Sequence, residues 1–274
     1  MSKVESLGSG VFQGSGLEGD YNLPNLIGTL YQNCFRGSKI TSFIAPILPT
    51  TTYSVFKECV ELKRVELLSV ESIGEDLCYG CTSLKTVKMP KLINITNEAF
   101  RNCASLDDIT LGDVETVEDG AFRGCTSLPS LYLGKVTSIG GQAFDGCTSF
   151  TVDVNAPNLT TLATYAFRNT AITSFVAPIL SEITSNALYG CKNLTLVDLT
   201  DVTSIAANAF YGCSALEAVV IRATTPPTLA STNAFTSTNN CPFYVPDEAV
   251  EAYKAATNWK SYATRIKPLS EYEE

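Results

Sequence analysis

Hydrophobic and polar positions recur along this chain with a fixed period. Between residues 92 and 111, apolar side chains stand at Leu92, Ile95, Phe100 and Leu106, and later segments repeat this order. The large apolar residue of each copy advances by 21 to 23 residues, with a last step of 25: Phe12, Phe35, Phe56, Cys78, Phe100, Phe122, Phe144, Phe167, Leu188, Phe210 and Phe235. Such a period predicts a solenoid, because one coil cannot bury its apolar side chains alone and must stack on others.

Each copy divides into three predicted pieces. The first is a strand with alternating apolar residues, such as Ile109 and Leu111, and stacking should turn these strands into a parallel sheet. The second is a short extended stretch with two inward residues, such as Val114 and Val117. The third is a short helical or 3-10 turn through an Ala-Phe pair. We therefore expect a repeat solenoid wound as a right-handed superhelix.

A residue that tolerates positive φ stands two positions after the aromatic position in almost every copy. The set is Gly14, Gly37, Gly80, Asn102, Gly124, Gly146, Asn169, Gly190 and Gly212. Glycine or asparagine at this place is typical of a left-handed residue that ends a helical turn. Glu58 is the exception.

Cysteine is concentrated at one repeat position, three residues after the aromatic one. It is present as Cys59, Cys81, Cys103, Cys125, Cys147, Cys191 and Cys213, and Ser15, Ser38 and Thr170 occupy the same position elsewhere. Small residues that replace one another at an internal site predict buried free thiols that pack as small hydrophobes. Side chains on neighbouring coils should point the same way, which is unsuitable for disulfides.

The repeat predicts a solenoid over residues 1–235 and a strand-plus-helix cap over residues 236–274. In the cap, Asp247 is expected to N-cap a helix running to Ala256, and Trp259 to cover the open end of the stack. The first residues lack the apolar core of a signal peptide, so we expect none in this sequence. The chain would then stay inside the cell, be a mature fragment, or leave by another route.

Composition excludes several classes of protein. A net charge of −9 and a pI of about 4.7 argue against nucleic acid as a partner, and no apolar run predicts membrane insertion. The sequence contains no histidine, which removes Ser-His and Cys-His catalysis and histidine-bearing metal sites. We predict no catalytic residues, no metal site and no cofactor, and therefore not an enzyme.

Two patterns nevertheless deserve a metal or redox interpretation. Cys78 and Cys81 have C-x-x-C spacing, which is typical of zinc and redox sites. They occupy the aromatic and cysteine positions of one coil, so we favour the interpretation that both pack in the core. An acidic cluster could attract calcium, yet it lacks the spacing of a known loop and is read as a solvated face: Asp107, Asp108, Asp113, Glu115, Glu118 and Asp119.

The predicted sheet presents one outward residue per coil, between the two last apolar residues of each strand. This outward row comprises Ile44, Glu66, Lys88, Thr110, Tyr132, Asp153, Val176, Asp198 and Val220. Six of its members are the candidate binding residues: Glu66, Lys88, Thr110, Tyr132, Asp153 and Asp198. A regular row suits an extended partner, and ordinary solvated sheet surface is the alternative for each residue.

The repeat resembles the BspA-like, treponemal type of leucine-rich repeat, with the pattern I-x-x-x-A-F-x-x-C-x-x-L-x-x-I-x-L. Residues Ile95 to Leu111 match it at every fixed position, and the resemblance extends over residues 11 to 235. It implies a bacterial surface protein of the gut or mucosa. Such proteins include adhesins that bind host extracellular-matrix proteins.

Two functions follow from these observations. The first is a non-enzymatic, adhesin-like module that binds a protein or glycan ligand at the cell surface. The second is a structural or receptor-contacting component of a larger assembly, such as a prophage tail.

Overall fold

The computed structural model describes residues 4–273, which divide into two units. The first contains residues up to 132 together with 146–149, and the second contains residues 133–145 together with those from 150 onward. Each unit is a stack of coils whose strands pair in parallel. The predicted repeat solenoid with parallel sheets is therefore confirmed as the fold class. The predicted helical or 3-10 turns are wrong for residues 4–231, where the Ala-Phe segments form hydrogen-bonded turns, because hydrogen bonds to the next coil replace those of a helix.

Strands of the first unit form one five-stranded sheet and one smaller ladder. In chain order its strands are β1 Glu18–Asn22, β2 Lys39–Ile44, β3 Arg64–Glu66, β4 Thr86–Met89, β5 Asn94–Ile95, β6 Asp108–Leu111 and β7 Thr116–Val117. The larger sheet has the order β1-β2-β3-β4-β6, and β5 pairs with β7. In β4, Val87 and Met89 are buried while Thr86 and Lys88 are directed outward, as the alternation predicts.

The second unit repeats this arrangement and adds a terminal strand pair. Its strands are β8 Ser138–Ile139, β9 Asp153–Asn155, β10 Thr161–Leu162, β11 Ser174–Val176, β12 Glu182–Ile183, β13 Leu196–Leu199, β14 Ser204–Ile205, β15 Ala218–Ile221, β16 Thr228–Leu229, β17 Phe243–Val245 and β18 Ile266–Pro268. The main sheet has the order β9-β11-β13-β15-β17-β18. β8 pairs with β10, and β12, β14 and β16 form a three-stranded ladder.

Helical structure is concentrated near the C-terminus. The 3-10 helices span Thr232–Phe235, Asp247–Ala249, Trp259–Arg265 and Leu269–Glu271, and the α-helix α1 spans Val250–Ala255. The expected N-cap is wrong: the carboxylate of Asp247 accepts a hydrogen bond from the Ser270 N–H at 3.0 Å instead of bonding to the helix. The helix is also shorter than predicted, because its first turn is a 3-10 turn.

Side chains from residues 253–262 donate hydrogen bonds to carbonyls of residues 223–232. The pairs are the Tyr253 hydroxyl to Ala223 O, the Asn258 amide to Leu229 O, Trp259 Nε1–H to Pro227 O and the Tyr262 hydroxyl to Thr232 O. Within residues 4–273, β16 is the last strand of its ladder. Trp259 and Tyr253 are themselves fully buried. These bonds satisfy backbone acceptors that would otherwise be buried without a donor.

Aromatic rings form a column inside each unit. Phe35 lies between Phe12 and Phe56, with ring centroids 5.3 and 5.8 Å apart. In the second unit the Phe144–Phe167 pair stacks at 5.2 Å and the Phe210–Phe235 pair at 5.0 Å. Offset stacking at such distances adds to the free energy gained from burial. The regular spacing of aromatic residues in the sequence therefore corresponds to rings that stack in the core.

All ten cysteines are free and buried, and those at the repeat position also donate hydrogen bonds. Each thiol donates to the carbonyl of the aromatic position one coil earlier. The bonds are Cys59 to Phe35 O, Cys81 to Phe56 O, Cys103 to Cys78 O, Cys125 to Phe100 O, Cys147 to Phe122 O, Cys191 to Phe167 O and Cys213 to Leu188 O, at 2.9–3.2 Å. Where Thr170 replaces cysteine, its hydroxyl donates within its own turn to Phe167 O at 2.8 Å. The position thus requires a small donor as well as a small volume.

Candidate functional site

The outward row of the first unit is formed by strands paired in register. Ile44 pairs with Glu66, Glu66 with Lys88, and Lys88 with Thr110. Because strands in a ladder lie about 4.8 Å apart, these residues stand side by side on one face. The structure therefore brings together three of the six candidate residues.

Tyr132 lies outside the strands of the first unit. It belongs to no strand of residues 4–273, and its side chain is 67% exposed. The structure therefore leaves Tyr132 out of the paired row.

Glu66 is held by two cations on the outward face. Its carboxylate accepts from Arg64 Nε at 3.0 Å and lies 3.3 Å from the Lys88 ammonium. The Glu66 side chain is only 12% exposed. Burial opposes its ionisation, but the hydrogen bonds and charges of Arg64 and Lys88 outweigh that cost and lower its pKa. Glu66 therefore fixes the side chains of Arg64 and Lys88, and its carboxylate is little available to accept hydrogen bonds from a ligand.

In the second unit, Asp153 does not occupy the predicted position. Asp153 pairs with Ser174, and Asn155 is the residue that pairs with Val176. The prediction was wrong because it took Val152 and Val154 as the inward pair, whereas the buried residues are Val154 and Ala156. The coil contains one more residue between Phe150 and the strand than the pattern assumes. Asn155 therefore takes the place assigned to Asp153 in the row.

Asp198 is placed as predicted, between Val176 and Val220 in the ladder. Its carboxylate accepts two hydrogen bonds from Arg222, at 3.1 and 2.7 Å. Val220 is fully buried despite its outward position, and it pairs with Tyr244 of β17. The ladder next pairs Tyr244 with Lys267. These two residues could not be predicted from the repeat, because its aromatic period ends at Phe235.

The described residues contain no group of three or more His, Cys, Asp or Glu side chains that could hold a metal ion. Cys78 and Cys81 are both fully buried, and burial raises the pKa of the Cys78 thiol. A buried, protonated thiol is a poor ligand and a poor nucleophile. Within residues 4–273, no helix is long and apolar enough to cross a membrane.

Several solved structures are similar to this chain at low sequence identity. A leucine-rich repeat protein of T. pallidum is 22% identical, with a TM-score of 0.47 over 72% of this chain and 86% of its own. A leucine-rich cell surface protein of Faecalibacterium prausnitzii is 20% identical, with a TM-score of 0.42 over 89% and 84%. A leucine-rich repeat protein of Bacteroides ovatus is 19% identical, with a TM-score of 0.46 over 95% and 86%. No curated protein sequence matches this chain significantly.

The repeat itself matches a known family over most of the chain. The sequence pattern of the BspA type leucine rich repeat region matches residues 1–107, 49–152 and 115–242, with six copies of the repeat. These ranges include every coil that carries the aromatic column and the thiol hydrogen bonds. The chain therefore belongs to the BspA type leucine-rich repeat family.

Proposed function

We propose that this chain is a non-enzymatic, protein-binding repeat module of adhesin type, exposed on a bacterial cell surface. The observation that carries the proposal is the register-matched row Ile44, Glu66, Lys88 and Thr110 on the first unit's sheet. Four coils present one side chain each at a constant spacing. A rigid face of this kind needs little ordering when it binds, which favours an extended partner.

The chemistry of the chain supports binding in preference to catalysis. The sequence has no histidine, and its ten cysteines lie in the core. The outward row offers ion pairs and a threonine hydroxyl. Such groups recognise a protein or glycan surface, and the family resemblance favours a host extracellular-matrix protein as the partner.

The test compares two sets of variants on an array of matrix proteins and glycans. Lys88→Ala combined with Thr110→Arg changes the row without removing Arg64 from Glu66. Lys91→Ala is the matched control, because Lys91 is exposed and lies after β4, off the strand face. We expect the double variant to lose at least tenfold in capture of the array's best ligand and the control to match the parent. Equal capture by both variants would refute this face as the contact surface.

The mass of the purified chain tests the other assignment raised by the sequence. An adhesin module of this kind is expected to elute as a single copy in light scattering. A stable trimer would contradict the adhesin proposal and favour a component of a larger assembly.

A further inference from the structure

A polar concavity lies on the outward face of strands β1 to β3, at one end of the outward row. It is lined by Asp20, Asn22, Ser42, Ile44, Lys63 and Arg64. Thr41 also lines it, so one carboxylate, one amide, two hydroxyls and two cations converge around an aliphatic side chain. Concave sites in which a few fixed polar groups converge are typical of ligand binding.

An irregularity in the β1–β2 ladder builds one wall of the concavity. Gly19 pairs with Ile40 but Asp20 pairs with Ser42, so Thr41 is an additional residue on β2. A bulge of this kind re-aims side chains. At this bulge, Thr41 and Ser42 each donate a hydrogen bond to Asp20 Oδ1 at 2.7 Å. The carboxylate is thereby fixed in orientation.

Asp20 keeps one acceptor for a ligand. Hydrogen bonds from Thr41 and Ser42, helped by the charge of Lys63, lower the pKa of Asp20, so its carboxylate is ionised near neutral pH. Within residues 4–273, both hydrogen bonds to this carboxylate fall on Oδ1. Oδ2 is therefore available to accept from a hydroxyl group of a bound molecule.

Two cations form the opposite wall. Lys63 lies on the coil after Thr41, since its backbone N–H donates to Thr41 O at 2.8 Å, and Arg64 pairs with Ser42 in the ladder. Arg64 donates a hydrogen bond to Glu66, and Lys88 forms an ion pair with the same carboxylate. Arg64 remains about half exposed, with 48% of its side chain accessible. Nε and Nη2 of Arg64 both donate to Glu66, so a ligand carboxylate would meet the remaining guanidinium N–H groups and the Lys63 ammonium.

We propose that this concavity binds an acidic sugar unit, a uronic acid residue within a glycan. The sugar carboxylate would meet Lys63 and Arg64, its hydroxyls would donate to Asp20 Oδ2 and contact Asn22, and its C–H face would lie on Ile44. The inference rests on the proposed function in one respect, that the outward face is the binding surface. It adds a ligand class that uses the cations and the carboxylate together.

The second unit contains a natural control for this site. Asp153 Oδ1 accepts from Thr173 at 2.7 Å and from Ser174 at 3.0 Å, which reproduces the Asp20 arrangement. The places of Lys63 and Arg64 are taken by Thr195 and Leu196, because Thr195 N–H donates to Thr173 O and Leu196 pairs with Ser174. The same carboxylate geometry therefore exists without cations.

The experiment is calorimetric titration of the full chain with a galacturonic acid trisaccharide and with the neutral galactose trisaccharide. We expect the acidic sugar to bind at least tenfold more tightly than the neutral one. Asp20→Ala should weaken its binding at least tenfold, and Lys63→Met at least fivefold with a smaller dependence on salt. Asp153→Ala is the matched control and should leave the Kd unchanged, while a thermal melt of each variant reports folding.

Three results would overturn the inference: no binding of the acidic sugar at millimolar concentration, equal binding of the neutral sugar, or equal losses for Asp20→Ala and Asp153→Ala. A hexaglutamate peptide that binds the Asp20→Ala variant as tightly as the sugar binds the parent would also overturn it, because the site would then recognise charge alone. If the sugar fails while protein capture still depends on Lys88 and Thr110, only this inference falls. If capture is also insensitive to the row, the proposed function falls as well.

Discussion

Glu58 carries the clearest backbone strain at the scale of single residues. Its φ is +62°, the same left-handed conformation as Gly37 and Gly80 at this repeat position in the neighbouring coils. A side chain in this region costs about 1–2 kcal/mol relative to the right-handed one, and glycine avoids most of that cost. The coil tolerates it because the Glu58 N–H still donates to Tyr79 O at 2.7 Å. The ladder between coils therefore imposes the conformation on whatever residue is present.

Replacing Glu58 tests this strain directly. Glu58→Gly should be more stable than Glu58→Ala by about 1 kcal/mol, because both lose the exposed Arg36 ion pair but only glycine relieves the φ. Chemical denaturation of the two variants and the parent measures the difference. Equal stability of the glycine and alanine variants would contradict the strain.

A second left-handed position, two residues before the aromatic one, could not be predicted from the sequence. Its residues are Gly10, Asn33, Ser54, Asp76, Glu98, Gly120, Gln142, Tyr165, Asn186 and Asn208, all with φ between +52° and +62°. The first position was predicted because glycine and asparagine alone nearly fill it. At the second, glutamate, glutamine and tyrosine adopt the same conformation, since bonds such as Glu98 N–H to Asp119 O fix the turn. Local preference was overridden there by contacts between coils.

At the scale of elements, alternation predicted the strands well and their register less well. The row Glu66, Lys88 and Thr110 followed from counting, because those coils have equal lengths between the aromatic residue and the strand. Asp153 was misplaced because its coil accommodates one more residue there, and Thr41 bulges out of the ladder in a coil one residue shorter. Counting cannot place such changes, because hydrogen bonding between coils decides which residue is extruded. The Asp20 concavity lies beside that bulge, so its side chains could not be brought together by counting residues.

The cap is the element whose stability is most directly testable. Trp259→Phe removes the Nε1–H donor to Pro227 O, 2.7 Å away, while keeping aromatic contact with Phe235, Phe243 and Tyr253. Leaving that carbonyl without its donor should cost about 2 kcal/mol in the free energy of unfolding. Tyr132→Phe, at an exposed ring, serves as the control and should be neutral. A Trp259→Phe variant as stable as the control would show that the bond contributes nothing.

At the scale of the whole molecule, stability should spread from coil to coil within each stack. Phe35 contacts Phe12, Phe43 and Phe56, so Phe35→Ala removes contacts to both neighbouring coils and should cost about 3–5 kcal/mol. The buried thiols report where the stack opens, since burial raises the pKa of Cys34 to about 11 and of Cys59 to about 12.

Alkylation under native conditions, followed by mass spectrometry, measures this local opening. In the Phe35→Ala variant we expect Cys34 and Cys59 to gain label, while Cys213, in the other unit, stays protected as in the parent. Uniform labelling of all cysteines would argue against nearest-neighbour coupling and for a single cooperative transition.

The cap has a consequence for how this protein can be lengthened. A parallel ladder is a template for its own growth, and the last coil would offer the carbonyls of Pro227, Leu229 and Thr232 to any incoming strand. The side chains of Trp259, Asn258 and Tyr262 donate hydrogen bonds to those carbonyls. The terminal strand β18 is three residues long and ends in Pro268, which has no N–H to donate. We propose that residues 236–273 end the stack of coils by covering these acceptors. We expect the protein to tolerate new repeats inserted upstream of residue 223. Repeats appended directly after Phe235 would replace residues 236–273, and the exposed carbonyls would then favour fibre-like association.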